Sequence, residues 1–147
     1  MKELKILPTK ETPEIILNPD GTIKIKGRSM IGCASEYFKQ IEDWVDNYVY
    51  DPADLTCVDI CLEYFNVSNI QIYISLLRKI ESINLKNKKY VINWYYEEGD
   101  EDILETGEYV SLLLNMPFNF VRINDAESRQ AEQFISEIIE QIHMDIV

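Results

Sequence analysis

The side chains best suited to metal or thiol chemistry are two cysteines and one histidine, and their spacing argues against a metal site. Cys57 and Cys61 lie four residues apart in an apolar run with Asp59 between them, so a strand would place all three on one face. A zinc site usually takes four ligands from neighbouring turns, whereas the single histidine, His143, is distant in sequence. We therefore predict buried thiols, no metal and no cofactor.

A second cluster is the acidic run at residues 97–102, with Glu105 and Glu108 beyond it. Such a run can hold Mg²⁺ or attract a basic partner, but it lacks the alternating ligands and closing glutamate of an EF-hand. Acidic residues also stabilise the start of a helix through its dipole. We favour a solvated connection leading into a helix, with partner docking or metal binding left open.

The third candidate is the junction at residues 66–69, where an apolar strand-like run gives way to a helical pattern. Ser68 followed by Gln71 fits a capping box, and Val67 would add a hydrophobic staple before it. A helix start also accommodates a phosphoryl group, because its free N–H groups and dipole favour negative charge. Ser68 is thus either a helix cap, worth about 1 kcal/mol, or a phosphorylation site. The expected partner-binding corner consists of Asn66, Val67, Ser68 and Asn69.

The sequence contains no recognisable arrangement of catalytic residues. It has no Gly-rich phosphate loop, no HExxH motif and no nucleophile paired with the histidine, and Ser29 has no evident base. We predict no catalytic residues and a protein that works by binding other proteins. A small metal-dependent enzyme that uses the acidic run is the less favoured alternative.

The elements that must position these residues alternate along the chain. Residues 1–13 are polar and expected to be loosely ordered, and two β-prone runs around Asn18–Gly21 predict a hairpin. Three amphipathic helical patterns, the third weakened by Gly107, alternate with strand-like runs. Those runs span residues 56–65, 90–96 and 118–123. This order predicts one α/β domain over residues 1–147, with a mostly parallel central sheet after the hairpin.

The last predicted element is an amphipathic helix over residues 125–147. Its apolar stripe is too wide to be left in water, so the helix must pack on another surface. The stripe consists of Phe134, Ile135, Ile138, Ile139, Ile142 and Ile146. We expect packing on the sheet or on a neighbouring helix of a monomer, with a homodimer through this helix as the alternative.

The composition restricts the partners. The chain has 26 acidic and 14 basic residues and a net charge of −12, which disfavours nucleic acids and anionic membranes but suits a basic protein partner. No run approaches the roughly 20 apolar residues of a membrane helix, and no signal peptide is apparent. Three cysteines, the third being Cys33, do not suggest a disulfide framework. We therefore expect a cytoplasmic protein without membrane insertion.

The order and spacing of several short motifs resemble the SiaC family of bacterial regulatory phosphoproteins over about residues 4 to 123. The matching motifs are Thr12-Pro13, Tyr37-Phe38, Asp43-Trp44-Val45, Tyr64-Phe65-Asn66 with Ser68, and Trp94-Tyr95-Tyr96 before an acidic stretch. The resemblance implies a STAS-like sandwich, as in anti-sigma-factor antagonists, with helices mainly on one face of the sheet. The helix at residues 125–147 would be an addition to the family pattern.

The resemblance also implies a signalling switch. Members of the family are phosphorylated by a dedicated serine/threonine kinase and dephosphorylated by a PP2C-type phosphatase, and in some the unphosphorylated form activates a diguanylate cyclase. The family's acceptor is a threonine directly after the asparagine that matches Asn66, but this chain has Val67 there, which has no hydroxyl. This leaves three possibilities. Ser68 is phosphorylated instead, the protein is a constitutive binder without a switch, or the same scaffold has another role.

Overall fold

The described residues of the computed structural model, 1–30, 35–124 and 137–142, form one six-stranded sheet and three principal helices. The strands are β1 (Leu4–Ile6), β2 (Glu14–Leu17), β3 (Thr22–Ser29), β4 (Leu55–Phe65), β5 (Lys89–Glu97) and β6 (Asn119–Ile123). The helices are α1 (Ser35–Tyr48), α2 (Ile70–Glu81) and α3 (Glu101–Leu114), and two 3-10 turns span Val67–Asn69 and Ser82–Lys86. Strands and helices therefore alternate from β3 onward, as the sequence predicts.

The sheet is mixed, and its strands lie in chain order from β1 to β6. The first three strands pair antiparallel, whereas β3, β4, β5 and β6 pair parallel. The predicted hairpin is confirmed: Gly21 closes the turn between β2 and β3 with a φ of 105°, which favours glycine. The expectation of loose order fails for Leu4–Ile6, because these residues pair with Ile15–Leu17 at the edge of the sheet.

The three helices pack on one face of the sheet, as expected. Alternating side chains of the central strands point into the core between sheet and helices. This helix-covered face carries Ile23, Ile25, Val58, Ile60, Leu62, Ile92 and Trp94. The opposite face, called the open face below, carries Lys24, Lys26, Cys57, Asp59, Cys61, Asn93, Tyr95 and Val121, none of which is fully buried.

Gly107 lies where α3 passes directly over Trp94. A Cβ atom at this position would lie 2.5 Å from Nε1 of Trp94, which is far inside contact distance. The same Nε1 donates a hydrogen bond of 3.0 Å to the backbone oxygen of Ile103, so the indole is fixed in place. The sequence suggests only that Gly107 weakens the helix, but the packing requires a residue without a side chain there.

Much of the predicted C-terminal helix lies outside the described residues. Residues 137–142 are helical, while Phe134, Ile135 and Ile146 of the apolar stripe are not among the residues described, and neither are Cys33 and His143. Across the described ranges, no helix combines the length and apolarity required to cross a membrane.

The junction between β4 and α2 as a candidate partner-binding corner

The chain turns from β4 into α2 through the 3-10 turn Val67–Asn69, and Asn66 is the residue that caps this turn. The Asn66 side-chain oxygen accepts hydrogen bonds from the backbone N–H of Ser68 at 3.0 Å and from its hydroxyl at 2.9 Å. The backbone of Asn66 is extended, with φ −78° and ψ 122°, as is typical of a cap residue. Asn66 therefore fixes the direction in which the chain leaves the sheet.

The predicted capping box at Ser68 is wrong. Ser68 lies inside the turn, and its hydroxyl donates to Asn66 rather than accepting a hydrogen bond from a backbone N–H at the start of α2. The predicted staple is also wrong, because the Val67 side chain is 75% exposed. The pattern misleads because the structure inserts a 3-10 turn before α2, which moves the cap two residues earlier.

Asn69 is buried, with 1% of its surface exposed, and it anchors the corner from within. Its Nδ2 donates to the carbonyl oxygen of Ser29 at 3.2 Å and to the Ser29 hydroxyl at 3.0 Å. The Tyr73 hydroxyl also donates to Ser29 Oγ at 3.0 Å, and the backbone N–H of Asn66 donates to the Ser29 carbonyl at 2.8 Å. Asn69 is therefore not accessible to a partner, which corrects its assignment as a binding residue.

Sequence reasoning missed Ser29 and Tyr73 as parts of this corner. Ser29 is at the end of β3, forty residues before Asn69, and Tyr73 occupies the buried side of α2. Burial raises the pKa of Tyr73, so its hydroxyl stays protonated and able to donate at neutral pH. The parallel pairing of β3 with β4, which sets Ser29 opposite Phe65, brings the groups together. No local sequence signal could have revealed that proximity.

The exposed side of the corner borders a cleft of about 870 Å³ between the end of β4 and the first half of α3. Its apolar part is formed by Phe65, Val67, Ile70 and Ile103, with Tyr64 and Tyr109 beside them. Its charged lining residues are Glu63, Asp100, Asp102 and Glu105. None of the lining residues is basic, so the cleft suits a partner segment that combines apolar and basic side chains.

The acidic run of the sequence supplies part of this cleft. Asp100 caps α3, because its side chain accepts a hydrogen bond of 3.2 Å from the backbone N–H of Ile103. Glu101 and Asp102 follow in the first turn, where the helix dipole favours negative charge. The structural interpretation of the run is therefore confirmed for Asp100, while Asp102 and Glu105 face the cleft.

The open face of the sheet brings Cys57, Asp59 and Cys61 together with Asn93. Asn93 Nδ2 donates to Asp59 at 2.8 Å and lies 3.6 Å from the Cys57 sulfur. Burial raises the pKa of both thiols, so they are mostly protonated at neutral pH. The cysteines are free and only partly buried, and the described residues contain no group of three or more side chains arranged to hold a metal ion.

Comparison with known proteins agrees with this architecture. The model of the SiaC family of regulatory phosphoproteins matches residues 6–123. An uncharacterized protein of Pseudomonas aeruginosa strain UCBPP-PA14 is 27% identical over 119 residues, which cover 80% of this chain and 94% of the relative.

Solved structures of SiaC from Pseudomonas aeruginosa share the fold. Apo-SiaC is 25% identical and superimposes with a TM-score of 0.71, covering 83% of this chain and 98% of that protein. A chain in the crystal structure of the diguanylate cyclase SiaD in complex with its activator SiaC is 26% identical, with a TM-score of 0.69 and coverage of 82% and 98%. The sequence match and the shared fold lead to one conclusion: this chain belongs to the SiaC family of regulatory phosphoproteins.

Proposed function

We propose that this protein is a phospho-regulated adaptor in a bacterial kinase and phosphatase signalling module, and that its partner binds the exposed side of the corner between β4 and α2. The observation that supports it best is the 75% exposure of Val67, an apolar residue on a turn fixed by Asn66 and Asn69. A rigid exposed apolar residue beside a cleft is a suitable anchor for a protein partner. The role is binding, not catalysis.

We propose a diguanylate cyclase as the partner, by analogy with the SiaC of Pseudomonas aeruginosa, which occurs in complex with the cyclase SiaD as its activator. The carboxylates of Glu63, Asp102 and Glu105 line the cleft next to Val67. A partner segment that enters the cleft should therefore present Lys or Arg side chains beside its apolar ones.

We propose Ser68 as the phosphorylation site. Ser68 is exposed, and among the described residues its hydroxyl donates a hydrogen bond to the Asn66 side chain. A phosphoryl group adds roughly −1.5 to −2 charges at neutral pH. Next to the apolar Val67 and a cleft lined by carboxylates, that charge would draw the Lys or Arg side chains of the partner towards Ser68 and place a hydrated group at the apolar contact, so the modification would change partner affinity.

A specific observation favours a second candidate, a constitutive binder. Val67 occupies the position at which the family resemblance places the acceptor threonine, and it has no hydroxyl to phosphorylate. If the kinase requires that position, the protein keeps an apolar contact there permanently. The partner-binding surface is the same in both candidates, and only the regulation differs.

Partner binding is tested with two matched variants, Val67→Asp and Leu85→Asp, which place a charge at exposed apolar positions on different turns. Binding of each to the purified diguanylate cyclase of the same organism is measured by calorimetry. Val67→Asp should weaken binding about ten-fold or more, because it places a charge at the apolar centre of the interface. Leu85→Asp should bind like the wild type. Equal affinities for all three proteins would place the interface elsewhere.

Regulation is tested by incubating the wild type, Ser68→Ala and Val67→Thr with the cognate kinase and ATP, followed by intact-mass measurement. One added phosphate on the wild type that is lost in Ser68→Ala supports the switch at Ser68. Phosphorylation of Val67→Thr alone supports the constitutive binder. A phosphate that persists in Ser68→Ala on the wild-type background would assign the switch to another hydroxyl.

A further inference from the structure

A single atom, Oδ1 of Asn66, accepts hydrogen bonds from both donors of Ser68. The backbone N–H donates at 3.0 Å and the hydroxyl at 2.9 Å. This contact also fixes the orientation of the side-chain amide, because a backbone N–H can only donate and therefore requires the oxygen rather than Nδ2. The hydroxyl of Ser68 is thus held against the turn, although the residue itself is exposed.

The side chain of Asn66 completes the hydrogen bonding of the 3-10 turn. The N–H groups of Asn69 and Ile70 donate to backbone oxygens, those of Asn66 at 2.8 Å and of Val67. Among these three consecutive N–H groups, that of Ser68 is the one whose acceptor belongs to a side chain. The conformation of the turn therefore depends on one rotatable amide, and that amide contacts the residue that we propose as the phosphorylation site.

Phosphorylation of Ser68 removes one of the two donors. When a kinase transfers the terminal phosphoryl group of ATP, the Oγ–P bond forms, the P–O bond to ADP breaks and the hydroxyl proton passes to the solvent. Oγ lies 2.9 Å from Asn66 Oδ1 and then has no proton to donate. The phosphate has a second pKa of about 6, so at neutral pH it is mainly a dianion without a donor. Two oxygen atoms at this distance with no proton between them repel each other.

We propose that phosphorylation of Ser68 displaces the Asn66 side chain from its capping position and thereby opens the turn. This inference rests on the proposed phosphorylation site and adds its structural consequence. The amide has N–H donors of its own, which a phosphate attracts. When Nδ2 turns towards the phosphate, Oδ1 moves away from the backbone N–H of Ser68, and the cap is lost. Because Val67 lies between the two residues, the modification changes the backbone that presents this exposed side chain.

The helix dipole of α2 acts in the opposite direction. Helix α2 begins at Ile70, two residues after Ser68, and a negative charge near the start of a helix is stabilising. A measurement on the phosphorylated wild type alone would therefore combine the loss of the cap with the gain from the dipole. The two effects separate when the phosphate is placed on a chain without the Asn66 side chain, because the dipole is still present there and the cap is not.

The test uses the full chain with phosphoserine installed at position 68 during synthesis, through a reassigned stop codon, so that no kinase is needed. Amide hydrogen exchange is measured with and without the phosphate in the wild type and in Asn66→Ala. In the wild type, the phosphate should lower the protection of the Ser68 N–H about five-fold, as expected for the loss of a cap. In Asn66→Ala, the phosphate should leave this protection unchanged or raise it. The second 3-10 turn, Ser82–Lys86, is the internal control and should exchange equally in all four proteins.

Asn66→Asp is the matched variant, because it keeps the acceptor oxygens and removes the N–H donors. Aspartate is a good cap, so the unmodified variant should keep the protection of the Ser68 N–H. With the phosphate, two anionic groups face each other, and the protection should fall further than in the wild type.

Three results would overturn the proposal: no fall in the wild type, an equal fall in Asn66→Ala, or a smaller fall in Asn66→Asp than in the wild type. These results are independent of the kinase experiment, because the phosphate is installed without the enzyme. A kinase that leaves Ser68 unmodified would contradict the proposed regulation, while the response of Asn66 to the installed phosphate would still be measured.

Discussion

The corner between β4 and α2 has two sides that differ in almost every physical respect, although they share four consecutive residues. On the inner side, Asn69 is 1% exposed and bonded to Ser29, which also accepts a hydrogen bond from Tyr73. On the outer side, Val67 is 75% exposed, and the backbone N–H and the hydroxyl of Ser68 both donate to the neighbouring Asn66 side chain. The inner side fixes the backbone so that the outer side can present one apolar residue and one hydroxyl in a defined position.

This difference separates stability from recognition. Changes on the inner side should lower the free energy of unfolding, because buried polar groups depend on one another's hydrogen bonds. Such changes should alter partner affinity only indirectly. Changes on the outer side should affect the partner while the fold remains intact. The variants below test that division, from the largest expected effect on stability to the smallest.

Asn69→Ala should give the largest loss. It removes two hydrogen bonds to Ser29 and leaves a small cavity in a buried site. We expect the free energy of unfolding to fall by about 1–3 kcal/mol. Urea unfolding followed by tryptophan fluorescence measures the change, and Ser68→Ala in the same turn is the control. A loss no greater than that of the control would show that the buried network does not hold the corner.

Asn66→Ala should have an intermediate effect. It removes the acceptor for the backbone N–H and the hydroxyl of Ser68, which are the capping contacts of the turn. The expected loss is about 1 kcal/mol, as for other cap residues. Hydrogen exchange at the start of α2 should also become faster, because the turn opens more often. Unchanged exchange there would mean that the cap does not control the turn.

Tyr73→Phe should cost about 0.5–1 kcal/mol, towards the lower end of the range for one hydrogen bond. The Ser29 hydroxyl keeps its bond from Asn69, so no buried partner is left without a contact. The ring also keeps its packing against Phe38 and Phe65. The double variant with Asn69→Ala checks the coupling. Strictly additive losses would argue against a shared network around Ser29.

Val67→Ala should change stability by less than about 0.5 kcal/mol, because the side chain is mostly in water. Its effect should instead appear in partner affinity, measured by calorimetry against the cyclase. Asn69→Ala should mainly lower stability, whereas Val67→Ala should mainly lower partner affinity, so the two variants together separate folding from recognition. A large stability loss, or unchanged affinity, would remove the distinction between the two sides of the corner.

Local sequence patterns predicted strands β2 to β6 and helices α1 to α3, but they missed the edge strand β1 and the 3-10 turn before α2. The alternation of Ile23 and Ile25 with lysines predicted a strand with one wet face, and the Pro-Asp-Gly turn predicted the hairpin beside it. The helical spacing of Phe38, Ile41 and Val45 likewise predicted α1. These predictions hold because backbone periodicity and turn chemistry act over a few neighbouring residues. The family resemblance, which rests on motif order, also agrees with the family match over residues 6–123.

The site was predicted in position but not in detail. The sequence alone located the corner at residues 66–69, because a strand-like run there meets a helical pattern. Only the tertiary structure decided that Asn66 caps the turn, that Asn69 faces inward and that Gly107 must make room for Trp94. Each depends on a contact between residues or elements whose geometry the sequence pattern does not specify. Sequence thus determines where a chain bends, while packing against distant strands determines which side chains of the bend remain available to a partner.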